Sequence, residues 1–518
     1  MDNGEAAAIQ SAALHGERMQ TGIAGLDDVL GGGFPANRLY LIEGDPGTGK
    51  TTLALQFLIE GARRGEPVLY VTLSETEDEL RANAASHGWT LAGVNIFELT
   101  PPEDSLRPES QYTIFHPSEI ELNDTTGAVL AEVERLNPRR IVFDSLSEMR
   151  LLAGDALRYR RQLIALKQYF TGRRCTVLLL DDHTTEGNAL QVHSIAHGVI
   201  ALEQIAQSFG AERRILRVCK LRGTRYRGGY HDFKIATGGN IVFPRLIAAE
   251  HHEPFSRAPV PSGIAGLDTL LGGGLDRGTS TLLMGPAGSG KSSVAAQLVA
   301  TAATRNERAV VYMFDEGRST YLARAVGLGI DMPEQVEAGR IKLQQIDPVE
   351  LSPGEFAHMV CHEVTAHGAR VVVIDSLNGY LQAMPEERHL IVQMHELLTY
   401  LNQQGVVTLL ITAQHGFMGT AMVTPIDVSY LADTVLLFRY FEAAGAVRNA
   451  ISVVKKRTGN HERTIRELHM SARGIDIGQP LAEFEGVLTG VPIFRGTRET
   501  LLRKTTTERP TGAADDNG

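Results

Sequence analysis

Two stretches of the chain, GDPGTGKTT from Gly44 to Thr52 and GPAGSGKSS from Gly285 to Ser293, share the pattern GxxxxGK[ST]. Glycines let the backbone curl until successive N–H groups point inward, which suits phosphate oxygens. The first loop offers Gly44, Gly47, Thr48, Gly49, Lys50, Thr51 and Thr52; the second offers Gly285, Gly288, Ser289, Gly290, Lys291, Ser292 and Ser293. Each lysine is placed to carry an ammonium to the β- and γ-phosphates of a triphosphate such as ATP. The hydroxyl of Thr51 or Ser292 is a hard oxygen ligand for Mg²⁺. One match is what a chance glycine turn produces; two matches, each between an apolar run and a helical pattern, point to nucleotide binding.

A metal at such a loop needs a carboxylate from a neighbouring strand end. Asp144 in RRIVFDSLSE and Asp375 in ARVVVIDSLNG each close an apolar run. An aspartate there often only caps the next helix, but its recurrence in both halves favours the metal role. Asp181, Asp182 and His183 end another apolar run and are expected close to the nucleotide as a sensor segment. His251 and His252 in AEHHEP have no third ligand and read as solvated linker.

These residues must be held by a duplicated frame. TGIAGLDDVLGGGFPANRLYLIEGDPGTGKTTLALQF aligns without a gap on SGIAGLDTLLGGGLDRGTSTLLMGPAGSGKSSVAAQL. A repeat this long is a domain, not a solenoid unit. Within each copy, apolar runs (RLYLIEG, PVLYVTL, RRIVFD and CTVLLLDD; STLLMG, AVVYMF, ARVVVID and VVTLLIT) alternate with helical spacing. Buried strands separated by helices predict an α/β fold with a mostly parallel sheet covered on both faces. The expected organisation is a flexible segment over 1–17, a first domain over 18–247, a linker over 248–261, a second domain over 262–495 and a flexible tail over 496–518. ELTPPEDSLRPESQYTIFHPSEIEL, from Glu98 to Leu122, reads as an exposed loop rich in proline and acid.

The bulk numbers agree. A chain of 518 residues exceeds one compact core. With 43% hydrophobic and 21% charged residues it has the composition of a soluble globular protein. A net charge of −11 counts against coating nucleic acid. Cys175, Cys219 and Cys361 are far apart, so neither a disulfide framework nor a zinc knuckle is indicated. The N-terminus lacks a basic-then-apolar leader, and no greasy run is long enough for a membrane span, so the expected compartment is the cytoplasm.

Tandem phosphate loops, GIxGLD…GGG before each, and a KxR segment near each domain end resemble the KaiC family, over roughly residues 18–495. The resemblance implies two tandem RecA-like P-loop domains, ATP and Mg²⁺ as cofactors, ATP hydrolysis, autophosphorylation in the second domain and a homohexamer with ATP at subunit interfaces. The family carries two adjacent glutamates after the strand that follows the loop helix. Here YVTLSETED supplies Ser74 and Glu75, and YMFDEGRST supplies Asp315 and Glu316. Serine cannot take a proton as a carboxylate does, so the first domain keeps only Glu75 as a base. The basic pairs Lys220 and Arg222 in CKLRGTRY, and Lys455 and Arg457 in VKKRTGNHE, correspond to residues that reach the neighbouring subunit's γ-phosphate. In TPIDVSYLADT, Ser429 matches the family's phosphoacceptor serine, while Tyr430 replaces the adjacent threonine; Thr424 lies nearby. KaiB-like or other signalling proteins are the implied partners, although the 98–122 segment and the tail depart from the family's. Two alternatives remain: a RecA- or DnaB-like DNA-dependent ATPase, and a nucleotide-gated scaffold with little catalysis.

Overall fold

Leu39, Tyr40, Leu41 and Ile42 are all apolar and all buried, so the run entering the first glycine loop must be covered on both faces. The computed structural model describes residues 16–99, 117–182, 189–207, 210–382, 390–414, 430–443, 445–487 and 493–495. In it this run is the hub of a nine-stranded sheet built from β1 (Leu39–Gly44), β2 (Val68–Thr72), β3 (Val94–Glu98), β4 (Arg140–Asp144), β5 (Thr176–Asp182), β6 (Gly198–Ile205), β7 (Arg213–Leu221), β8 (Tyr230–Ala236) and β9 (Gly239–Phe243). Their spatial order is β9-β8-β7-β6-β1-β5-β4-β2-β3. From β6 to β3 every pairing is parallel, and β6 to β9 form an antiparallel meander.

Strand residues alternate between two apolar layers, as the period of two requires. Tyr40, Ile42, Val68, Tyr70, Val142, Leu178 and Leu180 join the helices Ala24–Val29, Lys50–Arg63 and Glu77–Ser86. Leu39, Leu41, Leu69, Val71, Ile141, Phe143, Val177 and Leu179 join the helices Pro117–Leu136, Leu146–Ala153 and Ala156–Thr171. Each such aliphatic side chain contributes about 1.5–3 kcal/mol when fully buried. The helix Glu77–Ser86 opens with a capping box: Thr76 Oγ1 accepts from Glu79 N at 3.3 Å and Glu79 Oε2 accepts from Thr76 N at 2.8 Å.

The segment expected to be an exposed loop up to Leu122 is helical from Pro117 onward. Proline suits the first helical position and glutamates suit the first turns. Both are start signals that the bulk composition of the segment obscured. Residues 100–116 lie outside the described residues, as do 1–15, 183–188, 383–389, 415–429 and 496–518.

The second sheet repeats the first. Its strands are β10 (Thr279–Gly285), β11 (Arg308–Met313), β12 (Ile341–Gln345), β13 (Ala369–Asp375), β14 (Val407–Ala413), β15 (Thr434–Ala443), β16 (Ala446–Lys456), β17 (Ile465–Ser471) and β18 (Gly474–Pro480). The order β12-β11-β13-β14-β10-β15-β16-β17-β18 is the first sheet's, read from the other edge. Leu283, Val311, Val373 and Leu409 form one apolar layer with the helices Ala265–Leu270, Lys291–Thr304 and Arg318–Gly327.

The GLD…GGG signature is structural in both repeats. Asp27 Oδ1 accepts from Thr21 N, and Asp268 Oδ1 accepts from Ser262 N, each at 2.8 Å. The last glycine sits where a Cβ would meet a backbone carbonyl oxygen at 2.4 Å, Met19 for Gly33 and Val260 for Gly274, with φ of +107° and +129°. The described chain divides into two compact units. The first runs to His252 and takes in 346–368 and 380–403; the second holds 253–345, 369–379 and the rest. Within the first unit, Ala248–Glu250 form a 3-10 turn and the His251 ring lies 5.2 Å from that of Tyr400, so this part of the expected linker is packed. Among the described residues no helix is long and apolar enough to cross a membrane.

Candidate phosphate-binding sites

The first glycine loop leaves the carboxyl end of β1, where open α/β sheets gather their ligands. Gly47 and Gly49 adopt φ of +83° and +93°. Gly49 caps the helix Lys50–Arg63, so the N–H groups of Lys50, Thr51 and Thr52 have no partner within the helix. Thr48 Oγ1 donates to Asp45 O at 2.8 Å and pins the loop on itself. Thr52 is buried with its hydroxyl 3.5 Å from His87 Nε2, so its backbone N–H is its contribution to the cradle. From below, Asn240 Nδ2 on β9 donates to Gly49 O at 3.1 Å, and Gln56 Oε1 accepts from Asn240 N at 2.8 Å. A Cβ on Gly49 would meet Ile235 Cδ1 at 2.8 Å.

Lys50 is buried. Its Nζ donates to Gly44 O at 2.8 Å and Asp45 O at 3.0 Å, and pairs with Asp182 Oδ1 at 2.8 Å. Thr51 Oγ1 donates to Asp144 Oδ2 at 3.2 Å, and the Tyr70 hydroxyl donates to the same oxygen. Burial pushes the Asp144 carboxyl above its ordinary range, while the bonds from Tyr70 and Thr51 pull it back. A hydroxyl and a carboxylate in contact beside a helix N-terminus are the hard oxygen set that Mg²⁺ takes, together with water and phosphate oxygens. The residues present therefore fit a magnesium triphosphate.

The second cradle is built alike. Gly288 and Gly290 have φ of +76° and +98°, and Ser289 Oγ donates to Pro286 O at 2.8 Å. Lys291 Nζ donates to Gly285 O at 2.8 Å and Pro286 O at 2.6 Å, and Ser292 beside Asp375 draws its carboxyl back down against burial. Ser293 is buried. Burial pushes the Asp375 carboxyl up and the Lys291 ammonium down to about 8. Among the described residues Lys291 has no ion pair. The peptide bond after each strand-end aspartate, Asp144–Ser145 and Asp375–Ser376, is cis.

The candidate bases differ between repeats. Ser74 is exposed, while the Glu75 carboxyl is pushed up by burial and by nearby Asp144. Thr72 Oγ1 fixes the turn by donating to Glu75 O at 2.6 Å and accepting from Glu75 N at 3.0 Å. In the second unit, Ser376 Oγ donates to Asp315, and Arg324 NH1 meets both oxygens of Glu316 at 2.7 and 2.6 Å. Buried Tyr321 feels Asp375, which with burial raises its phenol. Its hydroxyl makes no hydrogen bond to Asp375 among the described residues, unlike the Tyr70 hydroxyl on Asp144. Sequence reasoning missed Tyr70, Tyr321, Asn240 and Arg324. Of the sensor segment, Asp182 reaches Lys50, whereas Asp181 pairs with Arg150 at 2.6 Å and accepts from Ser147 Oγ at 3.1 Å. His183 lies outside the described residues.

Among the described residues the basic pairs donate hydrogen bonds to backbone carbonyls and to Asp433. Lys220 Nζ donates to the carbonyls of His193 and Ala196, and Arg222 donates to Ser194 O at 3.0 Å, at the carbonyl end of the helix Ala189–Ile195. Lys455 donates to Ala432 O at 2.7 Å; Arg457 reaches Tyr430 O at 3.2 Å and Asp433 at 3.4 Å. Ser429 and Thr424 lie outside the described residues. Elsewhere, the ligand atoms of His362, Glu363 and His367 lie within 4.8 Å of one another. That is looser than the roughly 3.4 Å edge of a tetrahedral shell with bonds of about 2.1 Å.

A glycine cradle with a buried lysine, repeated on two doubly wound sheets, places the chain among P-loop ATPases whose domain has been duplicated. A family model for the KaiC ATPase matches residues 19–246 and again 260–482. The chain belongs to the KaiC ATPase family. It is 27% identical over 499 residues to the circadian clock protein KaiC3 of Synechocystis sp., covering 93% of this chain and 96% of that one. It is likewise 27% identical over 512 residues to the circadian clock oscillator protein KaiC of Synechococcus elongatus, covering 97% and 96%. The KaiC of Parathermosynechococcus lividus is 28% identical over 483 residues, covering 92% and 88%.

Proposed function

We propose that the chain is a KaiC-type ATP-hydrolysing autokinase working in signal transduction or timing, with an ATPase domain over 18–247 and an ATPase and kinase domain over 262–495. One observation carries this reading: Thr51 bonds Asp144 beside the lysine-bearing cradle of the first unit, and the second unit repeats that cradle with Lys291 on the Gly285 and Pro286 carbonyls and Ser292 beside Asp375. Lys50 and Lys291, with the helix N-termini behind them, hold the phosphates. Glu75 is the base of the first site; Asp315 and Glu316 serve the second. Ser429 is the acceptor. Its oxygen bonds the γ-phosphorus, the bond to the ADP oxygen breaks, and the serine proton passes to a carboxylate. Lys220, Arg222, Lys455 and Arg457 act on the phosphate held by the next copy in a homohexamer. The relatives bear the names of clock proteins, which supports a timing role with KaiB-like or other signalling partners in the cytoplasm.

Dephosphorylated protein incubated with radiolabelled ATP and Mg²⁺ should gain phosphate, mapped to Ser429 and lost in Ser429→Ala. No incorporation in the parent chain would sink the kinase reading. A nucleotide-gated scaffold is favoured by one observation, the Arg324 grip on Glu316. Turnover at the uncatalysed background in both the parent and Glu316→Gln would establish it for the second unit.

A further inference from the structure

We propose that Asp182 makes the first cradle prefer a nucleoside diphosphate over a triphosphate, by competing with the terminal phosphate for Lys50. This rests on the reading of that cradle as a nucleotide site and names what decides between nucleotides there.

An ammonium has three N–H donors. Lys50 gives them to Gly44 O at 2.8 Å, Asp45 O at 3.0 Å and Asp182 Oδ1 at 2.8 Å. A phosphate-loop lysine serves the β- and γ-phosphates. Whichever of the three partners a γ-phosphate oxygen displaces from Lys50, it then stands beside the Asp182 carboxylate, anion against anion. A β-phosphate in the cradle is gripped by backbone N–H groups and leaves the Asp182 pair compatible with a diphosphate.

The strand end that carries Asp182 is pinned. Ser147 Oγ accepts from Asp182 N at 3.3 Å and donates to Asp181, which Arg150 holds at 2.6 Å. The Lys50 and Asp182 side chains are only 9% and 28% exposed, so water screens the repulsion incompletely.

The chain contains its own control. On β5, Asp182 is in register with Gly44; on β14, Ala413 is in register with Gly285. Lys291 keeps the two carbonyl contacts of Lys50, but alanine has no charge to compete. The two cradles of one polypeptide thus differ by a single carboxylate at the ammonium.

The test uses the full chain carrying Lys291→Ala, so that binding reports the first cradle, with fluorescent ADP and ATP and Mg²⁺ present. Asp182→Asn, which keeps the shape and removes the charge, should tighten ATP at least about tenfold and leave ADP within about twofold. The mirror variant, Ala413→Asp in a Lys50→Ala chain, should weaken ATP relative to ADP by about as much. If both nucleotides bind and their ratio is indifferent to residues 182 and 413, the inference is wrong while the nucleotide reading stands. If the Lys291→Ala chain binds neither nucleotide, the nucleotide reading of the first cradle falls, and the inference with it.

Discussion

Arg324 grips both carboxylate oxygens of Glu316, whereas Glu75, at the equivalent place in the first repeat, has no ion pair among the described residues. Equivalent carboxylates thus stand in different readiness to take a proton. A base in a tight ion pair must give up that pair before it can act.

Glu75 is accordingly the residue on which first-site hydrolysis depends. In a Lys291→Ala chain, Glu75→Gln should lower ATP turnover about 100-fold, in the usual range for a lost general base. Ser74→Ala should leave it within about twofold, since its side chain is exposed and carries no charge. A large loss from Ser74→Ala with little from Glu75→Gln would reverse the assignment.

Loosening the grip should wake the second site. Arg324→Gln in a Lys50→Ala chain is expected to raise turnover about threefold or more. A fall instead would mean that Arg324 positions Glu316 for its work, and Arg324→Lys would then restore part of the rate.

Lys291 sets a pH dependence whose sign follows from burial. Its ammonium is pushed down to about 8 in the folded chain. An unfolded lysine remains charged to about pH 10.4. Between these values the unfolded chain binds more protons, so stability rises as pH climbs through that window. Below it the buried charge is fully penalised. Lys291→Met should be more stable than the parent by about 2 kcal/mol at about pH 7, with the two converging by about pH 10. Urea unfolding at both values decides; an equal difference at each would assign the gain to packing.

Arg140 is 1% exposed and binds Glu66 Oε2 at 2.5 Å, Phe57 O at 2.7 Å and Gln20 O at 2.7 Å. Arg140→Ala strands one half-buried acid and two carbonyls and should destabilise the first unit by about 3 kcal/mol. Denaturant midpoints measure it; a loss under about 0.5 kcal/mol would show that water replaces the arginine.

Much of this site was legible because its parts are close in sequence. Gly44, Lys50 and Thr51 are spaced by one turn of loop, and Asp144 closes an apolar run that no surface segment would carry. Tyr70 was not legible: inside VLYVT it looks like any core aromatic, and only the packing of β2 against β4 aims its hydroxyl at Asp144. Tyr321 and Arg324 come from a helix whose face is chosen by tertiary packing. The antiparallel meander β6 to β9 carries weaker alternation than the parallel core, so its pairing was not drawn from the pattern. The helix start at Pro117 was hidden by reading composition over local start signals.

The bond from Asn240 to Gly49 spans 191 residues of chain. During synthesis the glycine loop therefore leaves the ribosome long before its floor exists. A nascent first domain should hold a nucleotide less firmly until its final hairpin has emerged. Premature termination anywhere ahead of that hairpin should leave a product blind to ATP, however intact its glycine motif.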